Sequence, residues 1–326
     1  MIEISYAQAI RLAIKNSMQR DSRLIAMGQG LWSPFYVGST MEKLDDEFGR
    51  DRVIDTPVSE NAVTAMALGI ALAGGNSLVV HPRMDFMILA SDPLVNAIAK
   101  WRSALSQDIP LPITIRSIIN RGGEQGAQHS QSIYSWFAHV PGLRVVAPAS
   151  ANDAYRLLIR SLASNDPVIF VEDRWDYEEV SQVDLNEDMT PINLEEPEIA
   201  LEGSDITLWG VGHTVNMALR AAEELREQGI YCEVINQKIL APFSSKVAYE
   251  SAIKTKRLLT VENAWPIASM SSEIIASIAR EASNEEKIHF QSLHMANATA
   301  PTSPALEKQY YLSVDAIVHK VQEMLS

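Results

Sequence analysis

Apolar positions recur along this chain in two alternating rhythms. From Ala7 to Arg20 they return at helical spacing, and Leu24 to Met27 is a short apolar run that ends at Gly28. Val53-Ile54-Asp55 reads as a strand and Thr56-Pro57-Val58-Ser59 as a turn. Glu60 follows, and Asn61 to Ala73 reads as a helix of small and medium apolar residues, stopped by Gly74-Gly75. Ser77–Val80, Pro112–Arg116, Leu143–Ala147 and Val168–Val171 predict further strands, with helices over Asp92–Leu105 and Ala151–Ala163. Strands alternating with helices predict a parallel α/β domain.

Between Asp173 and about Gly203 the rhythm gives way to acidic and polar residues with prolines at Pro191 and Pro197, the texture of a linker. A second α/β series follows. Its strands fall at Asp205–Trp209, Tyr231–Ile235 and Arg257–Val261. Its helices fall at Val215–Gln228, Ser245–Thr255 and Ser269–Ala282, with a last helix from Val314. The expected fold is α/β, two doubly wound domains at residues 1–185 and 203–326, joined by a linker at 186–202. There is no internal repeat and no low-complexity tract.

Composition narrows the functions open to such a fold. A chain of 326 residues that is 47% hydrophobic can bury the cores of two domains. Its net charge of −14 and pI near 5.0 repel a nucleic-acid backbone or an anionic membrane. The single cysteine, Cys232, excludes an internal disulfide framework, and its flanks read as a buried strand, so it is expected to be a small core hydrophobe. The N-terminal stretch lacks the pattern of a signal peptide, and no apolar run approaches the roughly 20 residues that cross a bilayer, so a cytoplasmic location is expected. No phosphate-binding Gly-x-x-x-x-Gly-Lys loop or Gly-x-Ser-x-Gly elbow occurs. Gly210-Val211-Gly212 lacks the third glycine of a dinucleotide fingerprint and reads as a plain strand-to-helix turn.

Two stretches carry more. Arg52-Val53-Ile54-Asp55-Thr56-Pro57-Val58-Ser59-Glu60 delivers a carboxylate to the start of an apolar helix. Gly126-Ala127-Gln128-His129-Ser130-Gln131-Ser132 precedes Phe137-Ala138-His139-Val140-Pro141-Gly142-Leu143-Arg144-Val145-Val146-Ala147-Pro148. Together with Val261-Glu262-Asn263-Ala264 and Pro304-Ala305-Leu306-Glu307-Lys308, they make the sequence resemble the beta subunits of thiamine-diphosphate-dependent 2-oxo acid dehydrogenases, and more distantly the C-terminal half of transketolase. The resemblance implies a pyrimidine-binding domain at 1–185 and a transketolase C-terminal-like domain at 203–326.

It also implies roles. Thiamine diphosphate deprotonates its thiazolium carbon through its own aminopyrimidine, and a carboxyl group hydrogen-bonded to the opposite ring nitrogen favours the tautomer that can do so. In the family that carboxyl falls on Glu60; from spacing alone, Glu60 is equally a surface glutamate stabilised by a helix dipole. The ring packed against the aminopyrimidine falls on Phe86, which from sequence alone reads as core. The histidine facing substrate falls on His129, against the alternative of a loop-capping histidine. His139, beside a Pro-Gly turn, reads as structural.

Family members hold the diphosphate through magnesium with a Gly-Asp-Gly motif and a downstream asparagine, yet Gly-Asp occurs nowhere in this chain. The resemblance therefore implies an alpha subunit that supplies that half, in an assembly of two alpha and two beta chains. Three departures stand out. Gly28-Gln29-Gly30 replaces the family's Gly-Glu-Asp, His81-Pro82-Arg83-Met84 precedes Phe86, and Asn120-Arg121-Gly122-Gly123 opens the loop before His129. His81, Arg83 and Arg121 point to a substrate more polar or anionic than pyruvate, clamped by guanidinium groups. Internal pairing of Arg83 with Asp85, Glu60 or the cofactor's diphosphate is the equal alternative. The expected function is the beta subunit of an enzyme acting on a 2-oxo acid or ketose-like donor; a non-catalytic assembly subunit that keeps the fold is the other class.

Overall fold

The computed structural model describes residues 1–106, 108–186, 196–282 and 287–326. The chain divides into two compact units, Met1–Asn120 with Trp136–Glu195, and Arg121–Ser135 with Glu196–Ser326.

The first unit begins with strand β1 (Ile2–Ser5) and helix α1 (Tyr6–Arg20). Ser5 starts α1 because its hydroxyl accepts from Gln8 N–H at 3.3 Å while the Gln8 side chain accepts from Ser5 N–H at 2.9 Å, two otherwise orphaned donors satisfied together. Strands β2 (Leu24–Gly28), β3 (Val53–Asp55), β4 (Asn76–His81), β5 (Ile113–Ile119), β6 (Arg144–Val146) and β7 (Val168–Asp173) follow. They lie parallel in the order β6-β7-β5-β4-β2-β3. Every residue of β4, β5 and β7 is buried, as covering both faces of a parallel sheet requires. Helices α2 (Leu44–Phe48), α3 (Glu60–Leu72), α4 (Met84–Met87), α5 (Trp101–Leu105) and α7 (Ala151–Leu162) connect them, and the five-residue α6 (Tyr134–Ala138) spans the division between the units. Strand β8 (Val180–Val183) pairs antiparallel with β1, a contact between the two ends of this unit that no local pattern predicts.

Two expectations change here. Strand β5 runs on through Arg116 to Ile119, where the sequence reading ended it at the charge. The strand can do so because Arg116 and Glu172 on β7, both fully buried, neutralise each other. The helix expected over Asp92–Leu105 is instead a π-type turn (Asp92–Ala97), a 3-10 turn (Ile98–Lys100) and α5. Pro93 in its first turn has no N–H to extend the regular ladder.

The second unit has the sheet order β14-β13-β10-β11-β9. Strands β10 (Ile206–Gly210), β11 (Cys232–Asn236), β13 (Arg257–Glu262) and β14 (His289–His294) are parallel, and β9 (Glu198–Leu201) runs antiparallel to β11. Helices α8 (His213–Arg226), α9 (Lys246–Thr255), α10 (Met270–Glu281), α11 (Pro304–Tyr310) and α12 (Val314–Leu325), and a short strand β12 (Ile239–Ala241), complete it. Residues 187–195 of the expected linker lie outside the described residues, and its last part, β9, is an edge strand. Cys232 is buried in β11, where burial pushes its thiol up to about 12. Gly210-Val211-Gly212 is the turn between β10 and α8.

Segment 121–135 belongs to the second unit although its sequence neighbours belong to the first. The Tyr134 hydroxyl donates to Glu262 at 2.8 Å, and Glu124 N–H donates to Glu307 at 3.2 Å. Glu262, fully buried at the end of β13, also accepts from Met270 N–H at 3.2 Å and Ser271 N–H at 2.7 Å, so one carboxylate caps α10 and anchors the segment.

Candidate functional site

In an open parallel sheet, ligands bind outside the carboxyl ends of the strands, where successive connections leave in opposite directions. In the first unit that point lies at β2. The chain passes from β2 to β3 on one side and returns to β4 on the other. Gly28 allows the close approach there, since a Cβ on it would sit 2.5 Å from Val80 O on β4.

Glu60 stands at this edge as the first residue of α3, directly after the β3 turn, and is only 5% exposed. The surface reading of this glutamate therefore fails. Gln29, just past β2, donates from its amide to Glu60 Oε1 at 2.9 Å. The α3 N-terminus adds favourable potential for a negative charge. Next to Gln29, Gly30 N–H donates to Asp55 at 2.7 Å, in a left-handed conformation (φ 68°) with the Tyr36 ring packed where a Cβ would be.

His81 closes β4 on the inner side of α3. It is 2% exposed, and its Nε2 lies 3.1 Å from the Thr64 hydroxyl. Burial pulls its imidazole down to about 4 against the opposing pull of Glu60, so the ring is neutral at pH 7. His81 is thus a buried neutral partner of α3.

Phe86 is half-buried on α4, which only Pro82 and Arg83 separate from β4. Arg83 caps the same short helix, half-buried, and its Nη1 donates to Pro82 O at 3.0 Å. Burial, and then the neighbouring charge of Arg174, lowers the proton affinity of its guanidinium, while Asp85 and Tyr36 act the other way. Arg174 directly follows β7, so two arginines stand at the carboxyl edge of one sheet. The sequence reading missed Arg174, which sits in what reads as linker-like texture, and treated Gln29 only as a missing acid.

His129 and Arg121 fall in the second unit. His129 is half-buried in a turn where its N–H donates to Gly126 O at 3.3 Å. Arg121 is buried at 5% exposure, and its charge acts on Tyr134 and Tyr310. The exposed His139 makes the turn after α6. Among the described residues no group of three or more His, Cys, Asp or Glu could hold a metal ion, and no helix is long and apolar enough to cross a membrane.

Residues 2–179 match the pyrimidine binding domain of transketolase, and residues 196–317 match its C-terminal domain. The chain is 33% identical to the beta subunit of the acetoin:2,6-dichlorophenolindophenol oxidoreductase of Bacillus subtilis (strain 168), over 99% of this chain and 97% of that one. It is 30% identical to the 2-oxoisovalerate dehydrogenase subunit beta of the same organism, over 99% of each. To the mitochondrial pyruvate dehydrogenase E1 component subunit beta-1 of Arabidopsis thaliana it is 32% identical, over 97% of this chain and 88% of that one. A solved structure described as a split-gene transketolase, an inactive beta4 tetramer, shares the fold with a TM-score of 0.78 at 20% identity, covering 99% of this chain and 98% of that one. With this likeness running through both units and nearly every residue, the chain belongs to the transketolase-like family of 2-oxo acid dehydrogenase beta subunits.

Proposed function

We propose that this chain is the beta subunit of a thiamine-diphosphate-dependent enzyme acting on a 2-oxo acid or ketose-like donor, with Glu60 as the group that engages the cofactor's aminopyrimidine. The observation that carries the reading is Glu60 itself: a buried carboxylate at a helix N-terminus, on the binding edge of the sheet, with one oxygen held by Gln29. A buried carboxylate is costly without a task, and a subunit kept only for assembly has no use for one there.

The residues fit the pyrimidine end of the cofactor. Glu60 Oε2 takes no hydrogen bond from the described residues and is the oxygen suited to the ring nitrogen, and Phe86 supplies a half-buried aromatic face. When bound, thiamine diphosphate supplies an electron sink for breaking the bond beside a carbonyl. Arg83, at the carboxyl edge of the same sheet, receives an anionic group of a donor more polar than pyruvate. The diphosphate and its magnesium fall to an alpha subunit, since this chain lacks Gly-Asp-Gly. Two alpha and two beta chains would make the assembly, in the reducing cytoplasm that a lone buried cysteine suits.

Co-expression with a chain carrying Gly-Asp-Gly and a downstream asparagine tests this. The complex is expected to bind thiamine diphosphate in a magnesium-dependent way, and the purified beta chain alone to bind it poorly. Tight binding by the beta chain alone would overturn the division of the site, and a stable complex that never binds the cofactor would establish the assembly reading. In the active complex, Arg83→Met should raise KM for an anionic donor about tenfold or more, with cofactor affinity unchanged. An unchanged KM assigns Arg83 to the structure.

A further inference from the structure

The amino ends of the first unit's strands, opposite the edge that carries Glu60, hold a cavity of about 730 Å³. Helices α1, α3 and α7 all end at it, at Arg20, Leu72 and Leu162. Each brings the negative end of its dipole and last carbonyls that lack partners within the helix. The chain itself answers this field with guanidinium groups. Arg52 donates to Met18 O at 3.0 Å, Asp21 O at 2.8 Å and Leu24 O at 3.1 Å, and Arg102 donates to Ile109 O at 2.6 Å and to Asn165 O.

Asn76 and Asp21 add side-chain acceptors to the same wall. Asn76, at the start of β4, is 5% exposed, and its Nδ2 donates to Leu162 O at 2.8 Å and to Asp21 Oδ2 at 3.4 Å. Those two acceptors fix the orientation of the amide and leave Oδ1 buried without a hydrogen-bond partner among the described residues. Hydrogen bonds from Arg23 hold the Asp21 carboxyl below its usual range, so it is ionised at pH 7, and it is still partly open to solvent. The floor is apolar, with Leu24, Ala71, Ile159 and Leu162 all buried. A lone inorganic cation would leave that floor wet, and an anion would meet the acceptors.

We propose that this cavity binds a primary ammonium group on a short aliphatic body, with the ammonium between Asn76 Oδ1 and the Asp21 carboxylate and the body on the apolar floor. Such a group brings several donors and a positive charge to a place that offers acceptors. Its source is a free amine or an aliphatic amino acid, whose carboxylate would meet Arg20, exposed on the rim. The site is separate from Glu60 and independent of the role given to it, although α3 runs from one to the other.

Saturation-transfer NMR on the full chain tests this with isopentylamine, L-leucine and isocaproate, the last carrying a carboxylate on the same body. At least one ammonium probe is expected to bind with a Kd of about 1 mM, a strength that so few atoms can sustain, and isocaproate about tenfold more weakly. The tighter of the two ammonium probes tells which source the cavity fits. Asp21→Asn keeps the shape and removes the charge, and should weaken that probe about tenfold, the loss of one hydrogen bond to a charged group. Ala163→Trp, at an exposed position on the rim, should close the cavity and abolish binding, and it decides the matter should Asp21→Asn fail to fold. Isocaproate bound as tightly as the ammonium probes, or an affinity unmoved in whichever variants fold, overturns the proposal. Binding by none of the probes overturns it as well and assigns Asn76 Oδ1 to water.

Discussion

Glu60→Gln is expected to fold, to assemble with its partner and to lose about three orders of magnitude in turnover, the upper range of what one positioned proton-handling group contributes. The substitution keeps the length of the side chain and its place at the start of α3, and an amide at position 60 can still pair with the Gln29 amide. What it removes is the ability to trade a proton with a ring nitrogen, which every cycle requires. The loss should therefore appear in kcat and kcat/KM alike, with KM for the donor little changed. Circular dichroism and size-exclusion of the complex check the fold. Turnover within a fewfold of the parent would take Glu60 out of the mechanism.

The largest effect on stability is expected at Arg116→Met. Arg116 and Glu172 are fully buried on neighbouring strands, joined through Nε to Oε1 and through Nη2 to Oε2 at 2.8 Å. Arg116 Nη2 also donates to the Thr40 hydroxyl at 2.9 Å, and the Tyr177 hydroxyl donates to Glu172 Oε2 at 2.7 Å. Burial and the Glu172 charge together push the Tyr177 phenol well up, so it stays a donor. Removing the guanidinium leaves a carboxylate stranded in the core, which costs about 3–5 kcal/mol. Urea unfolding should show that loss in Arg116→Met and a clear recovery in Arg116→Met with Glu172→Leu, because the second change withdraws the uncompensated charge. A single variant as stable as the parent would show that the pair contributes nothing. The network matters to the site because Thr40 belongs to the stretch that follows Gln29, so the pair ties that loop to β5 and β7.

The site was legible in part. Glu60 could be placed from the sequence because strand, turn and helix are consecutive, and a carboxylate at the head of an apolar helix needs no distant information. Its hydrogen bond to Gln29 crosses 31 residues, and the Arg116–Glu172 pair crosses 56. No periodicity encodes either contact. Position 29 was visible only as an acid that had become an amide, whereas the geometry makes it the donor to Glu60. Arg116 looked like the end of a strand because a lone charge in an apolar run reads as exposed, and the partner that lets it be buried lies on another strand. His81 read only as a polar residue near the pocket, and its burial beside Thr64, which makes it neutral, depends on a helix that packs over it.

By itself the sequence determined the α/β class, the strands β2–β7, β10, β11 and β13 with the helices α1, α3, α7–α10 and α12, the strand-turn-helix that carries Glu60, and the inert character of Cys232. Those features follow from side-chain periodicity, turn chemistry and composition, which act over a few residues at a time. Only the tertiary structure decided the strand orders, the pairing of β1 with β8, and the membership of segment 121–135 in the second unit. It alone also decided the charge state of His81 and the donor to Glu60. These depend on which groups become neighbours once water is excluded: a buried charge is tolerable only where a distant part of the chain supplies its partner.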